Sequence, residues 1–406
     1  MTRTVQKYGG SSVASATHLK RVANLVAARA KAGEEMVVVV SAMGDTTDEL
    51  VDLAGQITKR PRAREMDMLL STGEVVSSAL LSMALHELGV EAVSLTGPQA
   101  GIRTDAAHAR ARIASIRAER MEGELAAGNV VIVAGFQGIS EDGDLTTLGR
   151  GGSDTTAVAL AVFNDAATSE IYTDVAGIYT ADPRVAPTAR PLRDIAYDEM
   201  LELATTGARV MHARAVELGA IYDVEILVKS TFDPDAPGTI IRRETIMEQG
   251  NKVRAIAHEN RVGKVTVKGV PDQPGIAVGI FEPLAEAGIS VDTIVQNAST
   301  ERLTDLTFTV EPGDIDGAVE VIQKLMPQIK AQEVVTADNL GTVSVVGTGM
   351  ASSPGYASRM FRALTDEGVN IEMISTGDIR ITCVVEADRV ADAVRALHAA
   401  FELDQA

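Results

Sequence analysis

Two stretches of the chain, MVVVVSA at residues 36–42 and NVVIVAG at residues 129–135, determine the expected fold. Both are continuously apolar, whereas a strand with one exposed face alternates between apolar and polar residues. We therefore predict that each is a parallel strand buried on both faces of a sheet. The predicted strands of this region are Thr4–Lys7, Met36–Ser41, Glu91–Leu95, Asn129–Gln137, Glu170–Thr173 and Val224–Val228.

Helical patterns separate these strands over the first 230 residues or so. The predicted helices are Ala16–Lys31, Met66–Leu88, His108–Ala127, Asp154–Phe163 and Tyr197–Thr205. Alternation of strands and helices predicts a three-layer α/β domain with a mainly parallel sheet. In such sheets ligands bind beyond the carboxyl ends of the strands, so the residues that follow the strands are the candidates for function.

An internal repeat follows the Pro- and Gly-containing segment Thr231–Lys252. Its copies are GKVTVKGVPDQPGIAVGIFEPLAEAGISVDTI at 263–294 and GTVSVVGTGMASSPGYASRMFRALTDEGVNIEMI at 341–374. Pro274 matches Pro354, Phe281 matches Phe361 and Gly288 matches Gly368, all at an offset of 80 residues. Each copy predicts a ferredoxin-like β-α-β-β-α-β unit.

The two copies end differently. A further strand candidate, Gln332–Thr336, follows the first copy, but none follows the second. We hypothesise that Val253–Ala257 supplies the missing strand, so that the first unit is inserted within the second. The predicted domains are therefore residues 1–248, residues 262–338, and residues 253–258 together with 339–406.

Composition limits the possible function. The chain has 406 residues and a net charge of −19, a poor match for nucleic acid or an anionic membrane. The single cysteine, Cys383, excludes an internal disulfide and a cysteine-rich metal cluster. We see no apolar run of about 18 residues and no secretory signal, and so expect a soluble, cytoplasmic protein.

The first candidate site is the strand end Lys7-Tyr8-Gly9-Gly10-Ser11-Ser12. Two glycines allow a ligand to approach the backbone, a helix N-terminus attracts anions, and Lys7 adds a positive charge. A helix cap with Ser11 or Ser12 beside a surface lysine explains the segment equally well. The chain contains no Walker A motif.

The second candidate is the glycine cluster Gly149-Arg150-Gly151-Gly152-Ser153-Asp154, which opens a predicted helix. Backbone N–H groups and the Arg150 guanidinium can converge there on a carboxylate or a phosphate. Ser153 and Asp154 also suit a helix start for structural reasons alone. We favour ligand binding, because a loop with fewer glycines would cap the helix equally well.

A third loop, Tyr172 to Arg184, combines carboxylates, aromatic rings and an arginine, a mixture that suits a nucleotide but also a plain turn. Ser41 ends a strand, Thr47 lies at a helix start, and Glu74 is a lone carboxylate among small residues. Glu74 is suited to orienting a substrate amine, although an exposed helix-face glutamate is the commoner case. The six histidines lack the spacing of metal ligands, and we predict no metal site.

The whole chain resembles the aspartate kinase family, in which an amino-acid-kinase fold precedes paired ACT regulatory domains. The motifs that carry the resemblance are KYGGSS at 7–12, SAMGDTTDEL at 41–50, GE at 73–74, TTLGRGGSDTTA at 146–157, YTDVAGIYTADPR at 172–184, PDQPG at 271–275 and VQN at 295–297. They occur in both halves of the chain and make the resemblance specific.

The resemblance implies phosphorylation of the aspartate β-carboxylate by ATP with Mg²⁺, at the head of lysine, threonine and methionine synthesis. It implies catalytic roles for Lys7, Glu74 and Asp154. The implied ATP-binding residues are Lys7, Tyr8, Gly9, Gly10, Ser41, Thr173, Asp174, Tyr179, Arg184 and Arg209; the implied aspartate-binding residues are Thr47, Glu74, Arg150, Gly151, Gly152 and Ser153. Arg209 departs from the lysine common in the family, which makes its ATP contact less secure.

For the regulatory half, the resemblance implies inhibition by lysine, threonine or both, and a homo-oligomer formed through the ACT domains. The implied effector-binding residues are Asp272, Pro274, Gly275, Ile276, Ala277, Gln296 and Asn297. Two alternatives are another phosphotransferase of the same fold, such as a glutamate or carbamate kinase, and a non-catalytic amino-acid sensor. The repeat half argues against the first, and an intact Lys7, Arg150 and Asp154 argue against the second.

Overall fold

The chain folds into two units in the computed structural model, which describes residues 3–166, 168–207, 210–243, 252–297, 302–351 and 353–405. Unit 1 comprises Met1–Tyr179, Pro191–Thr205 and Arg209–Gln249. Unit 2 comprises Thr180–Arg190, Thr206–Ala208 and Gly250–Ala406.

Unit 1 contains an eight-stranded and a four-stranded sheet. Its strands are β1 (Arg3–Tyr8), β2 (Glu35–Val40), β3 (Ala92–Leu95), β4 (Ile102–Thr104), β5 (Ile113–Ile116), β6 (Val130–Ala134), β7 (Gln137–Ile139), β8 (Leu145–Thr147), β9 (Thr168–Thr173), β10 (Asp194–Ala196), β11 (Glu225–Ser230) and β12 (Thr239–Arg242). The large sheet has the order β10-β12-β11-β9-β1-β2-β6-β3 and is parallel except between β11 and β12. Met36–Val40 and all of β6 are buried, as their continuous apolar sequences predict.

Helices cover this sheet. They are α1 (Ala16–Lys31), α2 (Thr46–Ile57), α3 (Ala63–Leu70), α4 (Thr72–Glu87), α5 (Glu119–Ala126), α6 (Gly152–Phe163), α7 (Tyr197–Thr205) and α8 (Ala213–Tyr222). Buried side chains of α1 and α4, among them Val22, Val26 and Leu81, pack in one core with Val38 of β2 and Ile132 of β6. The predicted α/β domain with a mainly parallel sheet is confirmed.

Three local predictions are wrong. The helix over His108–Ala127 is instead β5 followed by α5, because Ile113–Ile116 pairs with β4, and this tertiary pairing outweighs local helix propensity. The strand over Asn129–Gln137 breaks between β6 and β7 at Phe136, whose φ is 69°. The helix over Met66–Leu88 divides at Ser71 into α3 and α4.

Residues Ala63–Glu87 together are long and apolar enough to cross a membrane, by length and composition only. This finding corrects the prediction that no apolar run is long enough for a membrane span. In the structure this segment is two helices rather than one. Both carry fully or almost fully buried carboxylates, Asp67 at 0% and Glu74 at 4% exposure. One face of the segment, with Leu81 and Leu85, therefore packs in the core of unit 1, while Val76 and Met83 are exposed.

Unit 2 contains one six-stranded antiparallel sheet with the order β14-β15-β13-β16-β18-β17. Its elements are β13 (Ala255–Pro271), α9 (Ile276–Glu286), β14 (Val291–Gln296), β15 (Leu303–Val310), α10 (Ile315–Ile329), β16 (Glu333–Val346), α11 (Tyr356–Asp366), β17 (Met373–Thr376), β18 (Arg380–Glu386) and α12 (Val390–Ala400). Both copies of the repeat have the predicted ferredoxin-like arrangement of strands and helices.

The two long strands β13 and β16 run through both copies. The first residues of β13 pair with the second copy, Ala255 opposite Val346 and Ala257 opposite Ser344. Later residues of β13 pair with the first copy, Val267 opposite Leu306 of β15 and opposite Val334 of β16. This is the pairing that the hypothesis of an inserted first unit requires.

Candidate active site

Lys7 and Asp154 form a nearly buried ion pair at the carboxyl end of the central strand β1. Lys7 Nζ lies 2.6 Å from Asp154 Oδ1, and the two side chains are 12% and 10% exposed. Asp154 is in the first turn of α6, so this helix N-terminus faces the strand end. A pair at this depth is costly to break, because either ion would be left without compensation.

The glycines after β1 bring the backbone close to the next strand end. Gly44 N donates a hydrogen bond to Gly10 O at 3.1 Å, and a Cβ on Gly10 would lie 3.0 Å from Ala42 O. Gly9 N donates to Tyr172 O at 3.1 Å at the end of β9. Three strand ends, those of β1, β2 and β9, thus meet at this point.

Two expectations for the same segment change. Residues 10–13 form a short 3₁₀ turn, and the cap of α1 is Ser15, which accepts a hydrogen bond from His18 N, rather than Ser11 or Ser12. Ser12 is instead buried, with its Oγ 2.7 Å from Thr231 Oγ1. The ring of Tyr8 is fully buried and stacks on Tyr172 at 4.8 Å between centroids, so a ligand can meet only the backbone of Tyr8.

Glu74 lies in the first turn of α4 and is almost completely buried, unlike the exposed glutamate that is common on helices. Its Oε1 accepts a hydrogen bond from Ala42 N at 3.1 Å, just beyond β2. Its Oε2 is buried and has no hydrogen-bond partner among the described residues. Burial raises the pKa of Glu74 to about 7. The carboxyl group is therefore suited to receive a cationic ligand group.

Ser41 and Thr47 lie on the same side of the sheet as Glu74. Ser41 follows β2, and its carbonyl oxygen accepts a hydrogen bond from Ser77 Oγ of α4 at 2.7 Å. Thr47 is the second residue of α2 and is half-buried. The end of β2 and the starts of α2 and α4 therefore converge.

The glycine loop before α6 holds an exposed arginine. Gly149 and Gly151 have φ angles of 81° and 71°, in the left-handed region that favours glycine. Arg150 lies between them and, within the part of the chain that the structure describes, forms no hydrogen bond or ion pair. Gly152 begins α6, and Ser153 packs against Gly135 at the end of β6. Arg150 is thus an exposed cation four residues before Asp154 in the chain.

The predicted nucleotide residues divide between the two units. Thr173 ends β9, and its Oγ1 donates a hydrogen bond to Asp174 Oδ1 at 3.0 Å. Tyr179 is the last residue of the first segment of unit 1 and forms a β-bridge with Pro191. Arg184 belongs to unit 2, where its Nη2 lies 2.7 Å from Asp182 Oδ2. Arg209 lies outside the described residues.

Sequence reasoning missed two residues of the site, His212 and Asp67. The His212 ring contacts Gly151, and its Nδ1 is buried without a hydrogen-bond partner among the described residues. Asp67 accepts hydrogen bonds from Thr147 Oγ1 at 2.5 Å and Ala109 N at 3.0 Å, and so holds α3 against the loops that lead to Gly149. A single buried carboxylate or imidazole has no local sequence signal, because its partners lie some 40 to 80 residues away.

In unit 2, the expected effector residues surround the start of α9 and the end of β14. Gly275, with a φ of 93°, is the N-cap residue of α9, and Asp272 N donates a hydrogen bond to Arg302 O at 2.9 Å. Ile276 is buried, so its side chain belongs to the core. Asn297 lines a shallow cavity of about 400 Å³ whose other lining residues are Lys268, Gly269, Leu303, Thr304, Asp305 and Gln332. Of the expected effector residues, only Asn297 lines this cavity.

The fold and this site define a class of phosphotransferase. The model of the amino acid kinase family matches residues 2–230, and models of the ACT domain match residues 265–326 and 343–401. A lysine, a free arginine and glycine-rich strand ends at one edge of a parallel sheet are suited to an anionic phosphoryl donor and acceptor.

Comparison with known proteins gives the particular family. The chain is 48% identical over 399 residues to the aspartokinase of Bacillus sp. strain MGA3, which covers 98% of this chain and 97% of the relative. The crystal structure of E. coli aspartokinase III in complex with aspartate and ADP superimposes with a TM-score of 0.82 at 27% identity, covering 98% of this chain and 99% of that one. The lysine and aspartate complex of the same enzyme gives a TM-score of 0.75 at 28% identity, covering 98% and 99% of the two chains. The chain belongs to the aspartokinase family.

The protein is accordingly an allosterically regulated, ATP-using phosphotransferase that phosphorylates the β-carboxylate of aspartate. The resemblance of its motifs to aspartate kinases is confirmed over the full length. The alternatives of a glutamate or carbamate kinase and of a non-catalytic sensor are thereby excluded.

Proposed function

We propose that the Lys7–Asp154 pair, Glu74 and Arg150 form the centre at which this enzyme phosphorylates aspartate. The observation that carries the proposal is the 2.6 Å pair between Lys7 Nζ and Asp154 Oδ1 at the end of β1, together with the unpartnered Oε2 of Glu74 at the end of the adjacent strand β2. E. coli aspartokinase III, which this chain resembles in fold, has been crystallised with aspartate and ADP.

Two of the three charged groups of aspartate then have a partner of opposite charge. Glu74 receives the α-ammonium group, and Arg150 receives a carboxylate as a planar, bidentate donor. Thr47 and residues Gly151–Ser153 complete the aspartate site. The β-carboxylate, with an ordinary pKa of about 3.9, is ionised at neutral pH and needs no general base.

Phosphoryl transfer needs charge neutralisation more than proton transfer. A β-carboxylate oxygen of aspartate forms a bond to the γ-phosphorus of ATP, and the bond from that phosphorus to the β,γ-bridging oxygen breaks, so that ADP leaves. ATP enters as its Mg²⁺ complex. Lys7 and the backbone N–H group of Gly10 stabilise the charge on the phosphoryl oxygens, whereas Gly9, whose N–H is bonded to Tyr172 O, lets the phosphates approach the backbone.

The remaining nucleotide residues are assigned by the family motif. Ser41, the backbone of Tyr8, and Thr173, Asp174 and Tyr179 form the nucleotide site. Asp154 organises the glycine loop and Lys7.

Substitution of Lys7 tests the catalytic proposal. For Lys7→Ala we expect kcat to fall by about 10³-fold while the KM values for ATP and aspartate change by less than about fivefold, because the ammonium acts mainly in the transition state. Acyl phosphate is trapped as the hydroxamate and measured. Lys31→Ala is the matched control, since it removes an exposed lysine at the end of α1 that donates a hydrogen bond to Leu88 O. An unchanged kcat in Lys7→Ala contradicts the proposal.

We further propose that lysine, threonine or both inhibit the enzyme through the first copy of the repeat. E. coli aspartokinase III has been crystallised with lysine. Asp272, Gln296 and Asn297 supply polar groups for an amino acid, and Pro274, Gly275, Ile276 and Ala277 form the turn that supports them. Activity measured with lysine, with threonine and with both identifies the effector.

The proposed cellular setting follows from this activity. The enzyme catalyses the first step of lysine, threonine and methionine synthesis in the cytoplasm. It assembles as a homo-oligomer through its ACT domains. Sedimentation velocity of the full chain tests the assembly, since a monomer at micromolar concentration contradicts it.

A further inference from the structure

His212 lies against the helix end that carries Asp154. It immediately precedes α8, and a Cβ added to Gly151 would lie 2.3 Å from His212 Cγ, so the imidazole ring covers Gly151. Gly151 is the N-cap residue of α6, and Asp154 N donates a hydrogen bond to Gly151 O at 3.1 Å. His212 and Asp154 therefore surround the same turn of backbone.

The imidazole lacks the partner that a buried polar atom normally has. His212 Nδ1 is buried and, among the described residues, has no hydrogen-bond partner, which is uncommon for a native protein. Burial lowers the pKa of His212; the neighbouring Asp154 and Glu217 oppose this shift, and Arg214 adds to it. The ring is neutral at pH 7 and can present one N–H donor.

The Asp154 carboxylate loses its partner during the reaction. In the structure, Lys7 Nζ at 2.6 Å is the only partner of Asp154 Oδ1 among the described residues. Under the proposed function, Lys7 turns its ammonium toward the transferring phosphoryl group. A buried carboxylate that loses its cation needs a new donor, and without one the movement of Lys7 is opposed.

We propose that His212 is a positioning residue that takes over Asp154 when Lys7 engages the phosphoryl group. In the substrate-bound enzyme, the N–H at Nδ1 of the neutral imidazole donates to the Asp154 carboxylate. Asp154 thus remains in its place in α6, and the glycine loop with Arg150 keeps its position. No proton is transferred, and His212 touches neither substrate. The inference rests on the proposed role of Lys7.

Three variants separate hydrogen bonding from packing. Asparagine carries an N–H donor near the position of Nδ1, whereas leucine resembles histidine more closely in size but has no donor. We expect His212→Leu to lower kcat about 10- to 100-fold, with the KM for ATP changed less than about threefold, and His212→Asn to stay within about fivefold of the parent. His86→Ala, which removes an exposed imidazole bonded to Ala92 O at the far end of α4, is the control. Better activity in the leucine variant than in the asparagine variant overturns the proposal.

A double-mutant cycle tests whether His212 acts through Asp154. In an Asp154→Asn background, we expect His212→Leu to change kcat by less than about threefold, because the carboxylate that it serves is gone. Equal losses in both backgrounds overturn the inference. If Lys7→Ala keeps its kcat, the proposed function itself fails; if Lys7→Ala is inactive and His212→Leu is fully active, only this inference fails.

Discussion

Two histidines, His212 of unit 1 and His398 of unit 2, differ in how their ring nitrogens are bonded. In unit 1, Glu74 Oε2 and His212 Nδ1 are buried without hydrogen-bond partners among the described residues. In unit 2, the buried His398 has both ring nitrogens bonded, Nε2 at 2.9 Å from Thr180 Oγ1 and Nδ1 at 3.3 Å from Thr188 Oγ1. A partner for the unpaired atoms of Glu74 and His212 would recover the free energy that their burial costs. The ring nitrogens of His398 already have partners.

Under the proposed function, Glu74 Oε2 and His212 Nδ1 gain their missing partners during the reaction, whereas both ring nitrogens of His398 are already bonded. Unpaired buried polar groups are rare because each costs about 1–3 kcal/mol, and a substrate that supplies the missing partner recovers that cost. The ordered polar groups of unit 2 instead fix Thr180–Arg190 to the second copy of the repeat, whose core includes Ala181 and Ala186. Under the proposed function unit 1 thus carries the chemistry, and within unit 2 His398 ties the loop that holds Arg184 to the regulatory repeat.

Besides Lys7→Ala, loss of the free arginine of unit 1 should have the largest effect. Arg150→Ala removes the bidentate partner of an aspartate carboxylate, and we expect kcat/KM for aspartate to fall about 10²- to 10³-fold. Arg150→Lys should recover less than a tenth of this loss, because an ammonium lacks the planar fork. Steady-state kinetics with aspartate as the varied substrate measures both variants.

The thermal stability of both Arg150 variants should remain within about 1 °C of the parent, since the side chain is exposed and forms no ion pair within the described residues. Arg64→Ala, which breaks an exposed pair with Asp144 at 2.7 Å, is the matched control and should leave kcat/KM unchanged. A kcat/KM for Arg150→Ala within threefold of the parent would show that the free cation of unit 1 is not a substrate group.

Removing the charge of Glu74 should weaken aspartate binding and strengthen the fold. For Glu74→Gln we expect the KM for aspartate to rise about 10- to 100-fold, because the ammonium loses its counter-charge. In the parent, the pKa of Glu74 is about 7, so the KM for aspartate should rise as the pH falls below 7 and the carboxyl takes up a proton. That pH dependence should be absent from Glu74→Gln.

The raised pKa of Glu74 also makes the stability of the folded protein depend on pH. Its pKa in the folded state is about 7, against an ordinary value of 4.5, so the folded protein binds the additional proton between these pH values. Stability therefore falls as the pH rises from about 4.5 to 7 and stays low above 7. At pH 8, Glu74→Gln should be more stable by up to about 3 kcal/mol in urea unfolding. Equal stability of the two proteins at pH 8 would mean that Glu74 is already paired.

Sequence reasoning succeeded where local patterns carry the information. Continuous apolar runs predicted β2 and β6, and matched Pro-Gly turns predicted the repeat. It failed for β4, β5, β7 and β8, because these strands have only three or four residues and depend on one another for pairing. The burial of Glu74 depends on how α4 meets β2, and the contact of His212 with Gly151 joins residues 61 positions apart in the chain. Neither is encoded in a local pattern.

A smaller effect should distinguish the two copies of the repeat in unit 2. Gln296 ends β14 in the first copy, and Thr376 ends β17 at the corresponding place in the second. We expect Gln296→Ala to raise the inhibitor concentration needed for half inhibition about tenfold, the cost of one lost hydrogen bond to a charged ligand. Thr376→Ala is the matched control. Equal shifts in both variants would show that the copies share the effector site.

The smallest effect on catalysis should come from the bonded histidine of unit 2. Thr180→Val keeps the side-chain shape but removes the hydroxyl that lies 2.9 Å from His398 Nε2 and accepts a hydrogen bond from Arg190 N at 3.1 Å. Because a buried imidazole nitrogen and a backbone N–H are then left unpaired, we expect a loss of about 1–3 kcal/mol in the free energy of unfolding. Thr188→Val, which removes the longer hydrogen bond to His398 Nδ1 from an exposed position, should cost less than about 0.5 kcal/mol.

Catalysis without effector should be nearly unchanged in both variants, since neither residue belongs to the proposed active site. A Thr180→Val protein that keeps its stability would mean that the polar groups of unit 2 can be replaced as easily as those of an exposed surface, and the contrast between the two units would then fail.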